Sequence, residues 1–389
     1  MTAEARADGQ SAESQQRWRA VRANLKQHRH ELAVAAGGLY PDVARVEGTG
    51  LLCRPGWVPA APIELDQVQL LWVGDPPVPS VTGSSAESSA VRPLRDREKR
   101  FATYADAIGA LDRPALFENR VTYRLLDADL SSDRSGQLAL TRGRYFDAIG
   151  VGEALAHEFT AAARDDGSVT ALSQLPLRAA IGDPCELSRR PVSIAITTLT
   201  LRRSKSGEAS FLLHWRDPAK VTHAAGMYQV IPVGIFQPAD DNPASVQHDL
   251  SLWLCMVREF SEELLGTSED YGRFGSPVAY ERWDFYRRLT EARYAGSLKV
   301  WILGVGIDPL TLVADILAVA VFDSDLFDDV FGGLVAVNSE GRVISSRGTT
   351  GFGFKGTAAA RFANGREPMQ AAGAAVLTLA NKHQQLLID

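Results

Sequence analysis

The chain has little cysteine and no excess of positive charge, and each of these features excludes a class of protein. Its 389 residues include three cysteines, Cys53, Cys185 and Cys255, which are scattered and odd in number. Such spacing predicts neither a disulfide framework nor a structural zinc site. The formal net charge is −6. Because nucleic-acid binding depends on clustered positive charge, we do not expect DNA as a partner.

The sequence also lacks an uninterrupted membrane-length hydrophobic run. Residues 300–322 are apolar for most of their length, but Asp308, Pro309 and Asp315 interrupt them. Each charge near a bilayer centre costs about 2.5 to 3.5 kcal/mol, so we expect a protein core and no membrane partner. The predicted elements are a strand, a helix and a strand, at 299–307, 310–318 and 318–322. The amino-terminal residues show no signal-peptide pattern, so a cytoplasmic location is expected.

Two familiar chemical motifs are incomplete. His157 and Glu158 form half of a zinc-helix motif, but Ala161 stands where the second histidine belongs. Residues 304–308 begin like a dinucleotide-binding loop, but Pro309 follows where that fingerprint needs a further glycine and a helix. Neither zinc-protease chemistry nor a dinucleotide fold is predicted.

One segment, residues 258–266, combines a helical pattern with clustered acids and reads Arg-Glu-Phe-Ser-Glu-Glu-Leu-Leu-Gly. Residues three and four apart share a helix face, so Glu259, Glu262 and Glu263 are predicted to lie together. Clustered carboxylates repel one another unless a cation compensates, and hard oxygen ligands suit Mg²⁺ or Mn²⁺. The alternative is the solvated face of an amphipathic helix, with Arg258 paired to an acid.

The residues before this segment read as two strands and a glycine turn. Residues 192–201 alternate and are rich in Ile and Thr, and residues 209–215 follow after a polar turn. Residues 226–234 then end in Ile-Pro-Val-Gly. Asn242 and Pro243 suit the cap and first turn of the helix that carries the acids.

This order of elements resembles the Nudix box, the signature of enzymes that hydrolyse a diphosphate linked to another group, over residues 190–266. The sequence departs from that pattern at four places. Val233 stands where a glycine is usual, Asp240 stands where a glutamate is usual, Gly266 comes one residue late, and residues 242–251 are inserted. The whole arrangement, including residues 116–120, also looks like a group of actinobacterial Nudix-like proteins often labelled as regulators.

The resemblance implies a Mg²⁺-dependent (or Mn²⁺-dependent) hydrolase of a nucleoside-diphosphate-linked small molecule. The implied metal ligands are Glu259, Glu262 and Glu263, and Arg258 joins them as a catalytic residue that orients the carboxylates. The implied substrate-binding residues are Gly226, Tyr228, Gly234 and Arg216. Acids within 323–329 are candidates for a late ligand or base, or for the first turn of an amphipathic helix. Two other hypotheses stay open: a ligand sensor with little hydrolysis, and a structural interaction protein.

The length predicts two or more domains, because single cores stop growing near roughly 250 to 300 residues. The predicted fold class is α/β (α+β), with a Nudix-like α/β/α sandwich and mixed sheet at 181–389. An N-terminal α+β domain is expected at 15–180, after a disordered tail at 1–14. A basic helix predicted at 15–36 is interpreted as a solvated face, the alternatives being contact with nucleic acid or with an acidic partner. A homodimer is left open.

Residues 113–147 mix arginines and carboxylates with aromatic rings. Such mixtures line pockets in which rings stack a base and arginines bind phosphate. They also tie two layers of a protein together through arginine–carboxylate pairs, and this second interpretation is the favoured one.

Overall fold

The structure, a computed structural model, describes most of the chain, and its helices and strands are intermixed. The described residues are 3–132, 135–164, 171–216, 226–267, 277–332, 334, 341–344, 351–354, 360–362 and 367–388. The helices are α1 (Ala3–Gln27), α2 (Arg29–Gly37), α3 (Tyr104–Leu111), α4 (Tyr145–Ala162), α5 (Pro176–Ile181), α6 (Pro243–His248), α7 (Leu252–Glu259), α8 (Asp284–Ala295), α9 (Ser324–Phe331), α10 (Ala371–Lys382) and α11 (Gln384–Ile388). A π-helical turn, Phe260–Leu264, follows α7 directly.

The strands belong to several sheets. They are β1 (Ile63–Glu64), β2 (Val68–Trp72), β3 (Leu94–Asp96), β4 (Lys99–Arg100), β5 (Val121–Asp129), β6 (Gly136–Arg144), β7 (Ile194–Arg203), β8 (Ala209–Phe211), β9 (Leu213–Arg216), β10 (Tyr228–Val230), β11 (Val233–Ile235), β12 (Leu298–Ile307), β13 (Ala314–Asp323), β14 (Gly341–Ile344) and β15 (Phe352–Gly353). Parallel and antiparallel pairs occur in the same sheet, which confirms the predicted mixed α/β class.

A seven-stranded mixed sheet runs through the core. Its order is β1-β12-β13-β7-β8-β15, and β11 also pairs with β7. Strands β13 and β7 run parallel, whereas β12 and β11 are antiparallel to their neighbours. The central strands are apolar and buried along nearly their whole length, as strands covered on both faces are. Helices α7 to α10 contact this sheet, and α7 carries the acidic segment to β11.

The apolar segment 300–322 forms the hairpin β12–β13, so the predicted helix at 310–318 is wrong. Asp308 Oδ1 accepts the backbone N–H groups of Leu310 at 3.1 Å and Thr311 at 2.8 Å, which closes a turn, and β13 begins at Ala314. A short apolar run does not distinguish a buried helix from a buried strand by periodicity. No helix in the described part of the chain is long and apolar enough to span a bilayer.

The amino-terminal residues differ from the expected disordered tail at 1–14, because helix α1 begins at Ala3. Its polar side chains bind the β3–β4 hairpin. Ser14 Oγ accepts the Leu94 N–H at 3.0 Å, and Gln15 Nε2 donates to the Leu94 carbonyl at 2.9 Å. Ser14, at the end of the predicted tail, therefore has a specific hydrogen-bond partner in another part of the chain.

The basic side of the predicted helix at 15–36 is buried in part, which corrects the solvated-face interpretation. Arg22 and Arg29 are almost fully buried and both bind Glu153 of α4. Arg22 also reaches Asp112 at 3.1 Å. Removing one member of such a network leaves a buried charge uncompensated, which costs about 3 to 5 kcal/mol.

The two predicted domains, 15–180 and 181–389, share one hydrophobic core that extends from Trp18 to Ile388. Strand β1 pairs with β12, and β5 is tied to the start of β7 by a bridge between Arg124 and Ser193. The predicted boundary at 180 therefore does not coincide with a gap between cores.

Candidate functional site

The acidic segment lies on α7 and the π-helical turn that continues it. Ser251 caps α7 by accepting the Leu254 N–H, and α6 precedes it with Asn242 as its cap. The single helix predicted from residue 242 is thus broken, at the buried Asp249. A π-helical turn accommodates one extra residue within a helix. The late arrival of Gly266 in the sequence therefore has a structural counterpart in this turn.

Glu259 lies directly against Gly234 in strand β11. A Cβ atom built on Gly234 would come within 1.9 Å of Glu259 Cδ, closer than any real contact. Strand β11 holds this glycine in place by pairing it with Ile196 of β7. The structure thus brings together two residues that the sequence pattern had linked, and the Glu259 carboxylate occupies the space that a side chain at position 234 would need.

Glu263 is turned toward the neighbouring strands. Its Oε1 accepts the backbone N–H of Val233 at 2.8 Å, and its Oε2 lies 3.9 Å from Nδ1 of His214 in β9. Both side chains are buried, with His214 at 1% exposure and Glu263 at 7%. A carboxylate bound to a backbone N–H in this way is held in one orientation.

Arg258 is buried beneath the segment and connects it to the loop before α8. It donates to the Tyr280 hydroxyl and to the Gln237 carbonyl, and its Nη1 lies 3.4 Å from Asp249 Oδ2. Burial raises the pKa of the Tyr280 phenol, so the hydroxyl remains protonated. These bonds fix the start of the acidic segment relative to residues 237–249.

A small cleft adjoins these groups, with enclosed space for about one water molecule. Its lining residues are Arg120, Gln237, Pro238, Ala239, Arg258, Glu259 and Glu262. Glu259 and Glu262 are half-buried in it. Within the described residues, no three His, Cys, Asp or Glu side chains are grouped so as to hold a metal ion by themselves. Two of the predicted ligands therefore share the cleft, and the three-acid cluster expected from the spacing is not formed.

The other predicted substrate-binding residues lie along β9 and β10, and none of them lines this cleft. The Gly226 N–H donates to the Arg216 carbonyl at 2.9 Å. The ring of Tyr228 packs against Trp215 and Phe362, with centroids 4.8 and 5.2 Å away. Of the predicted set, Gly234 lies against the acidic segment, through Glu259.

The acids of residues 323–329 occupy α9 and its start, where each is paired with a basic side chain. The pairs are Asp323 with Arg203, Asp325 with Lys205, Asp328 with Arg202, and Asp329 with Arg288. The arrangement matches the amphipathic-helix interpretation, and none of these four acids lines the cleft.

Sequence reasoning did not single out Arg120, Gln237 or His214 as site residues. Arg120 belongs to the aromatic and arginine-rich segment 113–147, for which an interface was the favoured interpretation. The segment does form an interface, because Asp241 accepts the Val121 N–H and binds Arg144 at 2.8 Å. The same interface places Arg120 in the cleft.

Comparisons with known proteins give little further information. No protein-family model matches the chain, and no curated protein matches it. Among solved structures, it is similar to a NUDIX hydrolase from Alicyclobacillus acidocaldarius at 15% identity, over 48% of this chain and 90% of that one. The TM-score of 0.24 is too low to carry over an activity. The chain is therefore characterised by its mixed α/β fold and by the chemistry of its cleft.

Proposed function

We propose that the cleft binds Mg²⁺ or Mn²⁺ through Glu259 and Glu262, together with a nucleoside-diphosphate-linked small molecule that the protein hydrolyses. One observation carries the proposal: two carboxylates from one helical segment share a small cleft with two arginines. Oxygen ligands beside guanidinium groups suit a ligand that brings both a cation and phosphate oxygens.

The donor set fits Mg²⁺, although only two acids line the cleft. Mg²⁺ retains several waters and is commonly bound by one or two carboxylates plus substrate phosphates. When bound, the ion would supply neutralisation of the charge on the diphosphate. In this proposal Glu259 and Glu262 hold the cation. Arg258 fixes the start of the segment through Tyr280 and Gln237, and either carboxylate accepts a proton from the attacking water.

A screen of diphosphate-linked compounds with Mg²⁺ present tests the proposal. Hydrolysis of the diphosphate yields two phosphomonoesters, which an added phosphatase converts to inorganic phosphate for detection. We expect turnover of at least one compound, and a loss of at least about 100-fold in Glu262→Gln, which keeps the shape but not the charge. Glu291→Gln, in the exposed part of α8, is the matched control and should turn over normally. Unchanged turnover in a folded Glu262→Gln variant would exclude this role.

A ligand sensor with little hydrolysis is the second candidate function. It is favoured by the position of Glu263, which binds the Val233 N–H instead of lining the cleft. With one acid fewer near the ligand, binding without turnover is chemically reasonable. Calorimetric titration with and without Mg²⁺ separates the two functions, because tight Mg²⁺-dependent binding without phosphate release supports the sensor.

A further inference from the structure

We infer that Arg120, from the amino-terminal part of the chain, completes the cleft by binding the phosphoryl group that the metal does not hold. The ligand class is therefore a diphosphate, with the cation near Glu259 and Glu262 and the other phosphoryl group on Arg120. This inference rests on the proposed function. It adds a binding residue that lies far outside the segment resembling a Nudix box.

The position of Arg120 is fixed by its neighbours. Its Nη2 donates to the Ala239 carbonyl at 3.0 Å, and its own carbonyl accepts the Tyr145 N–H at 2.9 Å. The next residue, Val121, donates its N–H to Asp241 at 2.7 Å. Residues 237–239 form part of the cleft wall. The contacts that tie Arg120 to this wall therefore also set where its guanidinium lies relative to the acids.

The two arginines of the cleft have different surroundings. Arg258 is buried and lies next to the buried carboxylate of Asp249, and it donates to Tyr280 and Gln237. Arg120 is only half-buried, at the rim of the same cleft. A guanidinium is planar and binds phosphate oxygens in a bidentate manner. Arg120 is thus the more exposed of the two guanidinium groups that line the cleft.

The shared core brings Arg120 and the two acids of the cleft together from distant parts of the chain. The acids come from residues 259–262, whereas Arg120 precedes β5, more than 130 positions earlier in the chain. The two groups reach one cleft because β5 is anchored to this region: the Tyr123 N–H donates to the Phe236 carbonyl at 3.0 Å. A ligand held at both ends would contact both halves of the protein.

Binding of methylenediphosphonate, a diphosphate analogue that is not hydrolysed, tests this role in the full-length chain. In the presence of Mg²⁺, we expect Arg120→Ala to weaken its binding by about 10- to 100-fold, as loss of a charged hydrogen-bond donor should. Inorganic phosphate, which has no second phosphoryl group, should bind more weakly and be less sensitive to the substitution. Arg113→Ala, at an exposed position that does not line the cleft, is the matched control.

Mn²⁺ binding, measured alone by electron paramagnetic resonance, distinguishes the possible failures. If Arg120→Ala binds Mn²⁺ normally and binds methylenediphosphonate as the wild type does, the inference is overturned and the proposed function stands. If the wild type binds no Mn²⁺, the proposed function itself fails. Should Arg120→Ala not fold, Arg120→Lys keeps the charge without the bidentate geometry. Weaker diphosphonate binding in that variant supports the inference, and unchanged binding overturns it.

Discussion

The absence of a side chain at Gly234 leaves space for the Glu259 carboxylate. Alanine at this position would place its Cβ within 1.9 Å of Glu259 Cδ. The obstructing atoms form the end of a flexible side chain, so the carboxylate can move aside while the backbone stays in place. Replacing glycine by alanine in a strand also contributes roughly 0.5–1 kcal/mol of stability. We predict that Gly234→Ala melts within a few degrees of the wild type but binds Mn²⁺ at least about tenfold more weakly.

The matched control for this substitution is Gly74→Ala, because a methyl group on Gly74 would meet no atom of the described residues within 4 Å. It should change neither the melting temperature nor Mn²⁺ affinity by a measurable amount. Normal Mn²⁺ binding in Gly234→Ala would show that the position of the Glu259 carboxylate does not matter for the metal.

Asp315 is a buried carboxyl group whose ionisation opposes folding. Burial raises its pKa from the ordinary 3.8 to about 7, the hydrogen bond from Thr197 lowers it in part, and Asp308 raises it further. The pKa of Asp315 is higher in the folded state than in the unfolded state. The stabilisation of the folded state by the protonated carboxyl is therefore fully present below about pH 4 and is lost as the pH rises through about 7. At 1.36 kcal/mol per pKa unit, the loss is on the order of 4 kcal/mol.

Asp315→Asn should remove this pH dependence, because asparagine cannot ionise and its oxygen can still accept from Thr197. Urea unfolding of both proteins at pH 4.5, 6 and 8 checks this. The variant should gain stability relative to the wild type as the pH rises, by several kcal/mol between the two extremes. If burial of the asparagine amide changes the free energy of unfolding by the same amount at every pH, this trend is unaffected. A stability difference that is the same at all three pH values would contradict the assignment.

The acids of the site could be predicted from sequence, but their partners could not. Glu259 and Glu262 stand out because helical periodicity is a local property of the chain. Arg120 and His214 enter the site through strand pairing and loop packing, which join residues far apart in sequence. The direction of Glu263 was also unpredictable, because it depends on the N–H of Val233 in strand β11.

The π-helical turn is the feature of most interest at the scale of elements. It lies where the sequence has one residue more than the Nudix pattern, before Gly266. The next residue, Leu265, caps the turn by donating its N–H to the carbonyls of Ser261 and Glu262. Three acids at i, i+3 and i+4 share a face only in a regular α-helix. The turn is thus a physical reason why Glu263 departs from the other two acids.

Other elements show where local patterns suffice. Strands β7, β8 and β9 agree with the predictions at 192–201 and 209–215, because β-branched residues and polar turns mark them clearly. The single helix predicted from residue 242 failed at Asp249. That carboxylate accepts the Ala239 N–H and faces Arg258, and these tertiary bonds outweigh the continuous apolar periodicity.

At the scale of the whole molecule, the chain's two halves form one core with a cleft at their contact. The length argument favoured two domains, and composition gave no sign that β1 pairs with β12 or that Arg120 approaches α7. Such pairings depend on topology, which short-range sequence patterns do not encode. The mixed α/β class was predictable because strand and helix signals alternate along the chain.

Metal binding by the cleft is the claim on which the functional account depends. The most direct test is a Mn²⁺ titration, followed by electron paramagnetic resonance, of the wild type and of the Glu259→Gln, Glu262→Gln double variant, with melting curves to confirm folding. We predict one Mn²⁺ per wild-type chain and at least a tenfold weaker affinity in the folded double variant. Equal Mn²⁺ binding by the two proteins, or no binding by the wild type, would contradict the account.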